Sequence, residues 1–94
     1  PLYSTEKTPW AHKLIYEHYF IGGCDWYAAE YDPNDRLYFG YVVMNGDHIN
    51  SEWGYFSHDE LADLTHNGIE IDRDIYWSPR KAGSIDDIVK GMRY

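Results

Sequence analysis

The stretch Leu37-Tyr38-Phe39-Gly40-Tyr41-Val42-Val43-Met44 carries no charged residue at any position. Side chains of a strand alternate between its faces, so Leu37, Phe39, Tyr41 and Val43 share one face and Tyr38, Gly40, Val42 and Met44 the other. A strand apolar on both faces reads as buried and central. The chain has 94 residues, enough for one domain over 1–94 but not for two, since each half would fall below independent stability.

The flanking segments read mostly as further strands. Asp25 to Tyr31 is short, aromatic and bounded by turn residues. It joins the central run through Asp32-Pro33-Asn34-Asp35, a good hairpin loop because proline presets φ and Asn tolerates the left-handed region. Ser51 to Phe56 is a third strand candidate. A fourth runs over 69–77, with Ile69, Ile71, Ile75 and Trp77 on one face and Glu70, Asp72, Asp74 and Tyr76 on the other. Arg73 interrupts the apolar face of that strand. Residues 10–21 fit a helix started at Thr8-Pro9 or a strand alternating Leu14, Tyr16, His18 and Phe20. Their β-branched and aromatic density, followed by Gly22-Gly23, favours the strand.

Two short helices have clear start signals. Ser57-His58-Asp59-Glu60 is a capping box, with Leu61 and Leu64 as the buried side and Asn67-Gly68 as a left-handed stop. Ser84-Ile85-Asp86-Asp87 opens a basic C-terminal helix over 84–94, with Ile85, Ile88, Val89 and Met92 on one face. The expected fold is α+β: an antiparallel sheet of about four to five strands with two short helices.

Composition bounds the partners. Sixteen carboxylates against eight Lys and Arg give a net charge of -8. That disfavours direct capture of nucleic acid or an anionic membrane, both of which need cationic side chains. Tyr 10, Trp 4 and Phe 3 must provide much of the core. No apolar run approaches the ~18 residues of a membrane span, and the first residues do not read as a leader. Cys24 is the single cysteine, so an internal disulfide and a paired-cysteine zinc site are excluded. The expectation is a soluble, cytoplasmic chain.

The order of short motifs resembles the small bacterial proteins of domain-of-unknown-function family 2958. The matching pieces are Leu2-Tyr3, Thr8-Pro9, Gly22-Gly23-Cys24-Asp25-Trp26-Tyr27, Glu30-Tyr31, Phe39-Gly40-Tyr41 and Asn45-Gly46. They continue with Glu52-Trp53-Gly54-Tyr55, Glu60-Leu61 and Glu70-Ile71-Asp72-Arg73-Asp74. The likeness spans roughly residues 2–82, and the tail after Lys81 departs from it. The resemblance implies cargo of plasmids, conjugative elements and phages, with no established chemistry to carry over.

Motifs for chemistry are sparse. Five histidines lie among the carboxylates, but no H-E-x-x-H, EF-hand loop or paired-cysteine spacing occurs, so neither a metal nor another cofactor is expected. Asp47-His48 and Glu52 could gather around a metal ion, but their reading as exposed turn residues explains them better. Cys24 precedes Asp25, whose charge opposes thiolate formation, so a turn-filling cysteine outweighs a nucleophile. Glu30 and Glu52, flanked by Trp26, Tyr31, Trp53 and Tyr55, suit acid–base work if desolvated. Equally, they suit tying a Tyr hydroxyl or Trp N–H into the sheet. No G-x-S-x-G elbow or phosphate-cradling glycine loop is present.

The strongest remaining signal is an acidic stripe. Residues 47–79 hold eight carboxylates against Arg73 alone, whereas 80–94 hold Arg80, Lys81, Lys90 and Arg93 against Asp86 and Asp87. Glu70, Asp72 and Asp74 recur every two residues, about 6.8 Å apart on one strand face. Asp59, Glu60 and Asp63 crowd the first turns of the preceding helix, where the dipole already favours acids. Such a stripe needs a basic counterpart, either the chain's own tail or a partner. It is no duplex mimic: a globule of roughly 32 Å diameter would face DNA carrying about 19 charges over the same length.

The favoured reading is a non-enzymatic module presenting Glu70, Asp72, Asp74, Asp59, Asp63 and Glu52, with Trp53 and Tyr55 as anchors, to a basic protein surface. Its specific version, drawn from the resemblance, is an inhibitor of a host nucleic-acid-handling defence complex of the CRISPR or restriction type. The alternatives are a small hydrolase using Glu30 or Glu52 with a histidine, and a domain that self-associates through exposed rings.

Overall fold

A computed structural model describes residues 8–66 and 69–93. Its elements follow from local chemistry. A 3-10 turn at Trp10–His12 leads into β1 (Leu14–Ile15) and β2 (Glu17–Ile21), so the ambiguous segment 10–21 opens on a helical turn and is extended in its later part. β3 (Cys24–Asp32) follows after Gly22 and Gly23, whose φ values of 50° and 85° close a two-residue turn. Two successive positive φ angles match the right-handed twist of paired strands, which is why this turn is two glycines. β4 (Leu37–Val43) is the all-apolar run. In the loop before it, the Asp32 carboxylate accepts from the N–H groups of Asn34 and Asp35. Arg36, not Asn34, takes the left-handed position, at φ 53°.

β5 (Glu52–Ser57) runs directly into α1 (His58–Asp63). The Ser57 hydroxyl accepts the Glu60 N–H at 2.9 Å, which is half of the expected capping box. The His58 N–H donates to the Arg36 carbonyl at 2.8 Å, fixing the start of α1 against the β3–β4 loop. Two short pairs follow, β6 (Thr65–His66) with β7 (Ile69–Glu70) and β8 (Asp72–Arg73) with β2. β9 (Arg80–Lys81) pairs with β1, and a 3-10 turn at Ala82–Ser84 leads into α2 (Asp86–Gly91).

The main sheet has the order β5-β4-β3-β2-β8 and is antiparallel throughout. The all-apolar strand is interior, as its sequence requires. A bulge at Ala29 shifts the register between β3 and β4. On one face Tyr27, Ala29, Tyr41 and Val43 pack with Ile15, Ala82, Ile85 and Ile88. On the other, Cys24, Trp26, Ala28, Tyr38 and Phe56 pack with Leu61 of α1. The 80–91 segment therefore covers one face and α1 the other, giving an α+β domain of three layers. Each fully buried Ile or Val contributes roughly 1.5–3 kcal/mol of transfer free energy, so both layers are energetically substantial.

Three expectations need correction. No single strand spans 69–77. Its first part pairs with β6, its middle with β2, and the Asp74 carboxylate then accepts the Tyr76 N–H at 3.0 Å, turning the chain. An Asp that offers its own side chain to the backbone two residues on ends a strand in this way. Ile75 and Tyr76 are consequently 73% and 89% exposed instead of lining a sheet. Helix α1 stops at Asp63, with Leu64 extended and partly exposed, well before Asn67-Gly68, which lies outside the described residues. The C-terminal helix covers 86–91 and not 84–94, because Ser84 belongs to the 3-10 turn and its hydroxyl donates to the Lys81 carbonyl.

Candidate functional site

Partners across an antiparallel pair point to the same face, so the sheet register locates each candidate. Trp53 lies opposite Tyr41 and Tyr55 opposite Phe39, on the face covered by the 80–91 segment. Asp72 lies opposite Phe20, whose ring stacks near His18 on that same face. Asp74 also turns there, bonding His18. Glu52 lies opposite Val42, on the α1 face, together with Asp59 and Asp63 of α1 itself. The Glu70 side chain lies outside the described residues. The acidic residues expected to form one stripe are thus divided between two sides of the sheet. Trp53 and Tyr55 do not adjoin the acids of α1.

What the structure does bring together is a groove on the α1 side. Trp26, Phe56 and Leu61 form its floor, each under a tenth exposed, and Met44 and Leu64 form its walls at 49% and 38% exposed. The floor belongs to β3, β5 and α1, and Met44 directly follows β4, so four elements define its shape. Glu60 and Asp63 stand on the same helix and line the opening. Asp59 is paired with Arg36 at 3.0 Å, both side chains being more than half exposed. Such a pair contributes about 0.2–1 kcal/mol and screens only one charge of the group.

The basic tail does not reach this groove. β9 and α2 lie in the layer on the other side of the sheet, where the Arg80 guanidinium sits 3.9 Å from the centre of the Trp77 ring. The tail thus lies across the sheet from the α1 acids and on the same side as Asp72 and Asp74, the strand acids for which Arg80 and Lys81 are the expected internal counterions. The signal missed in the sequence was the pairing of Met44 with Leu64. Both look like core positions of periodic elements, and only tertiary structure leaves them half open.

A second constellation lies on the 80–91 face. His18 bonds Asp25 through Nε2 at 2.7 Å and Asp74 through Nδ1 at 3.3 Å. Its ring is stacked on Tyr27, with centroids 4.6 Å apart and planes within 6°. Burial alone would lower the His18 pKa, but hydrogen bonds to Asp25 and Asp74 outweigh it and the pKa is raised. The Tyr27 hydroxyl donates to Asp87, whose other oxygen meets His48 Nε2 at 2.9 Å. Burial favours the protonated form of Asp87, yet the bonds from His48 and Tyr27 prevail and hold its pKa below the usual value. Burial, followed by the bond to Asp87, pushes the Tyr27 phenol far above its ordinary value. Both ring nitrogens of His18 face carboxylates of the chain itself. It clamps three segments together and has no nitrogen turned toward a cavity.

The candidate acid–base and nucleophilic groups are dispersed. Glu30, 7% exposed, lies opposite Phe39 and Glu52 opposite Val42, hence on different faces. A depression beside Glu30 is lined by Tyr16, Glu17, Ala28, Ala29, Tyr31 and Tyr38, without a histidine. Cys24 is buried, its thiol meeting the Asn45 side-chain oxygen at 3.5 Å while its sulfur accepts the Asn45 N–H at 3.4 Å. It braces the residue held at φ 54° in the loop after β4. Among the described residues, no three His, Cys, Asp or Glu side chains converge as a metal-ligand group. No helix among them is long and apolar enough to cross a membrane. Compared with known proteins, the chain matches no family model, no curated protein and no solved structure.

Proposed function

We propose that the chain is a non-enzymatic interaction module whose α1 side engages a basic protein partner. The observation that supports this reading is a group of exposed acids facing away from the basic tail. Glu52, Glu60 and Asp63 stand exposed on the α1 side, where Arg36 already pairs with Asp59, while Arg80, Lys81 and Lys90 belong to the opposite layer together with Asp72, Asp74, Asp86 and Asp87. A surface whose charge is left unmatched internally attracts an oppositely charged surface and repels like-charged ones. The resemblance to mobile-element proteins adds a partner class, the basic patch of a host nucleic-acid-handling complex of the CRISPR or restriction type.

Affinity capture from a bacterial host extract tests the reading. The wild type should retain a basic protein at low salt and release it as ionic strength rises. A Glu60→Gln/Asp63→Asn variant should retain several-fold less, because two exposed charge contacts are worth about 0.2–1 kcal/mol each. Equal retention by both proteins, insensitive to salt, would contradict it.

A further inference from the structure

We infer that the groove between α1 and the end of β4 receives the apolar face of a lysine- or arginine-rich amphipathic helix. The inference rests on the reading of the chain as an acidic interaction module, and it adds where the partner binds and in what conformation.

Two features fix the chemistry of the occupant. The groove is apolar, with Trp26, Phe56 and Leu61 beneath and Met44 and Leu64 exposed at its sides. A purely polar cationic segment would leave that surface uncovered. Glu60 and Asp63 at the opening would repel an acidic segment and attract cations flanking an apolar anchor. Apolar anchors with basic neighbours therefore describe the matching sequence. Methionine at the wall suits an adaptable contact, since its unbranched side chain repacks readily around different shapes.

The conformation follows from main-chain hydrogen bonding. β3 has strands on both sides, and β5, at the sheet edge, directs its open N–H and C=O groups sideways in the plane of the sheet and not up into the groove. An extended peptide laid over it would find only side chains and would leave its own N–H and C=O groups unpaired where they are covered. A helix satisfies its backbone internally and presents anchors at i, i+3, i+4 and i+7. The groove accordingly favours a helix over a strand.

The test uses three synthetic helical peptides: leucines on one face with lysines on the other, the same with glutamates for lysines, and the same with serines for leucines. Binding is followed through the Met44, Leu61 and Leu64 methyl signals and the Trp26 indole N–H by NMR. The Leu/Lys peptide should shift these signals, and both controls should bind at least about tenfold more weakly, a difference of 1.4 kcal/mol. Met44→Lys should weaken the Leu/Lys peptide by about tenfold or more. Leu64→Ser, at a second exposed position, should weaken it in the same direction if Met44→Lys perturbs folding. Salt-sensitive binding that leaves the groove signals unmoved would overturn the groove while sparing the acidic module. Failure of the Leu/Lys peptide to bind would overturn the groove, and the module would then stand or fall on protein capture. Equal binding of the Leu/Glu peptide would overturn both.

Discussion

His18 joins neighbouring strands to a turn 56 residues further along the chain. It ties β2 to Asp25 of β3 and to the turn at Asp74. A neutral imidazole carries one N–H, so only the protonated ring can donate to both carboxylates. Its folded pKa lies above the ordinary 6.5. The stabilisation is therefore complete below the unfolded value and fades as pH rises through the folded one. We expect an NMR titration of the His18 ring to show a midpoint above 6.5, reduced in Asp25→Asn and in Asp74→Asn. A midpoint unmoved by both would show that the two carboxylates do not hold the ring. Asp87 works in the opposite direction. Its pKa is depressed from 3.8, so its contribution is present above that value and disappears as pH falls through the folded one. Gly91 marks a further constraint. A Cβ there would lie 1.8 Å from Tyr41 Oη and 2.3 Å from Ser51 Oγ, beneath a helix packed on a ring that is only 1% exposed. Gly91→Ala should cost about 1–3 kcal/mol in a denaturant titration. An unchanged midpoint would mean that α2 can move away freely.

Among the elements, those set by neighbouring residues were readable from the sequence. Gly22-Gly23 dictates a tight hairpin, the uninterrupted apolar run dictates an interior strand, and Ser57 with Glu60 dictates the start of α1. Ser57→Ala should destabilise the fold by about 1 kcal/mol through loss of the bond to the Glu60 N–H. Thermal melts of the two proteins would show it, and identical melting temperatures would mean that α1 is held by Leu61 and the Arg36 carbonyl alone. Elements decided by competition between near and distant partners were not readable. The alternation over 69–77 is real, but the Asp74 carboxylate bonds both the Tyr76 N–H and His18. Those bonds outweigh strand propensity and send Trp77 back to donate to the Ile15 carbonyl. Helix α1 ends early because a six-residue helix has little intrinsic stability, and the chain pairs β6 with β7 instead of continuing it.

At the scale of the whole molecule, the sequence revealed how much charge there is but not which side it occupies. Acids between Asp47 and Asp74 outnumber bases in any linear count. The fold then sends Asp72 and Asp74 to one face and Glu52, Asp59, Glu60 and Asp63 to the other. The tail's cations read as counterions for the strand acids, and Asp72 and Asp74 do lie on the tail's side of the sheet, whereas the acids of α1 lie across it. On the proposed reading, the exposed acids of the α1 side, and not the net charge of -8, select the partner. Two variants that remove the same number of charges distinguish these explanations: Glu60→Gln/Asp63→Asn on the α1 side, and Asp72→Asn/Asp86→Asn on the other. The decisive measurement is the dependence of affinity for a captured basic partner on salt concentration, compared across the wild type and both variants. Weaker binding and a shallower salt dependence are expected for the α1-side variant alone, with the opposite-side variant matching the wild type. Equal losses in the two variants, or a loss confined to Asp72→Asn/Asp86→Asn, would contradict the proposed reading.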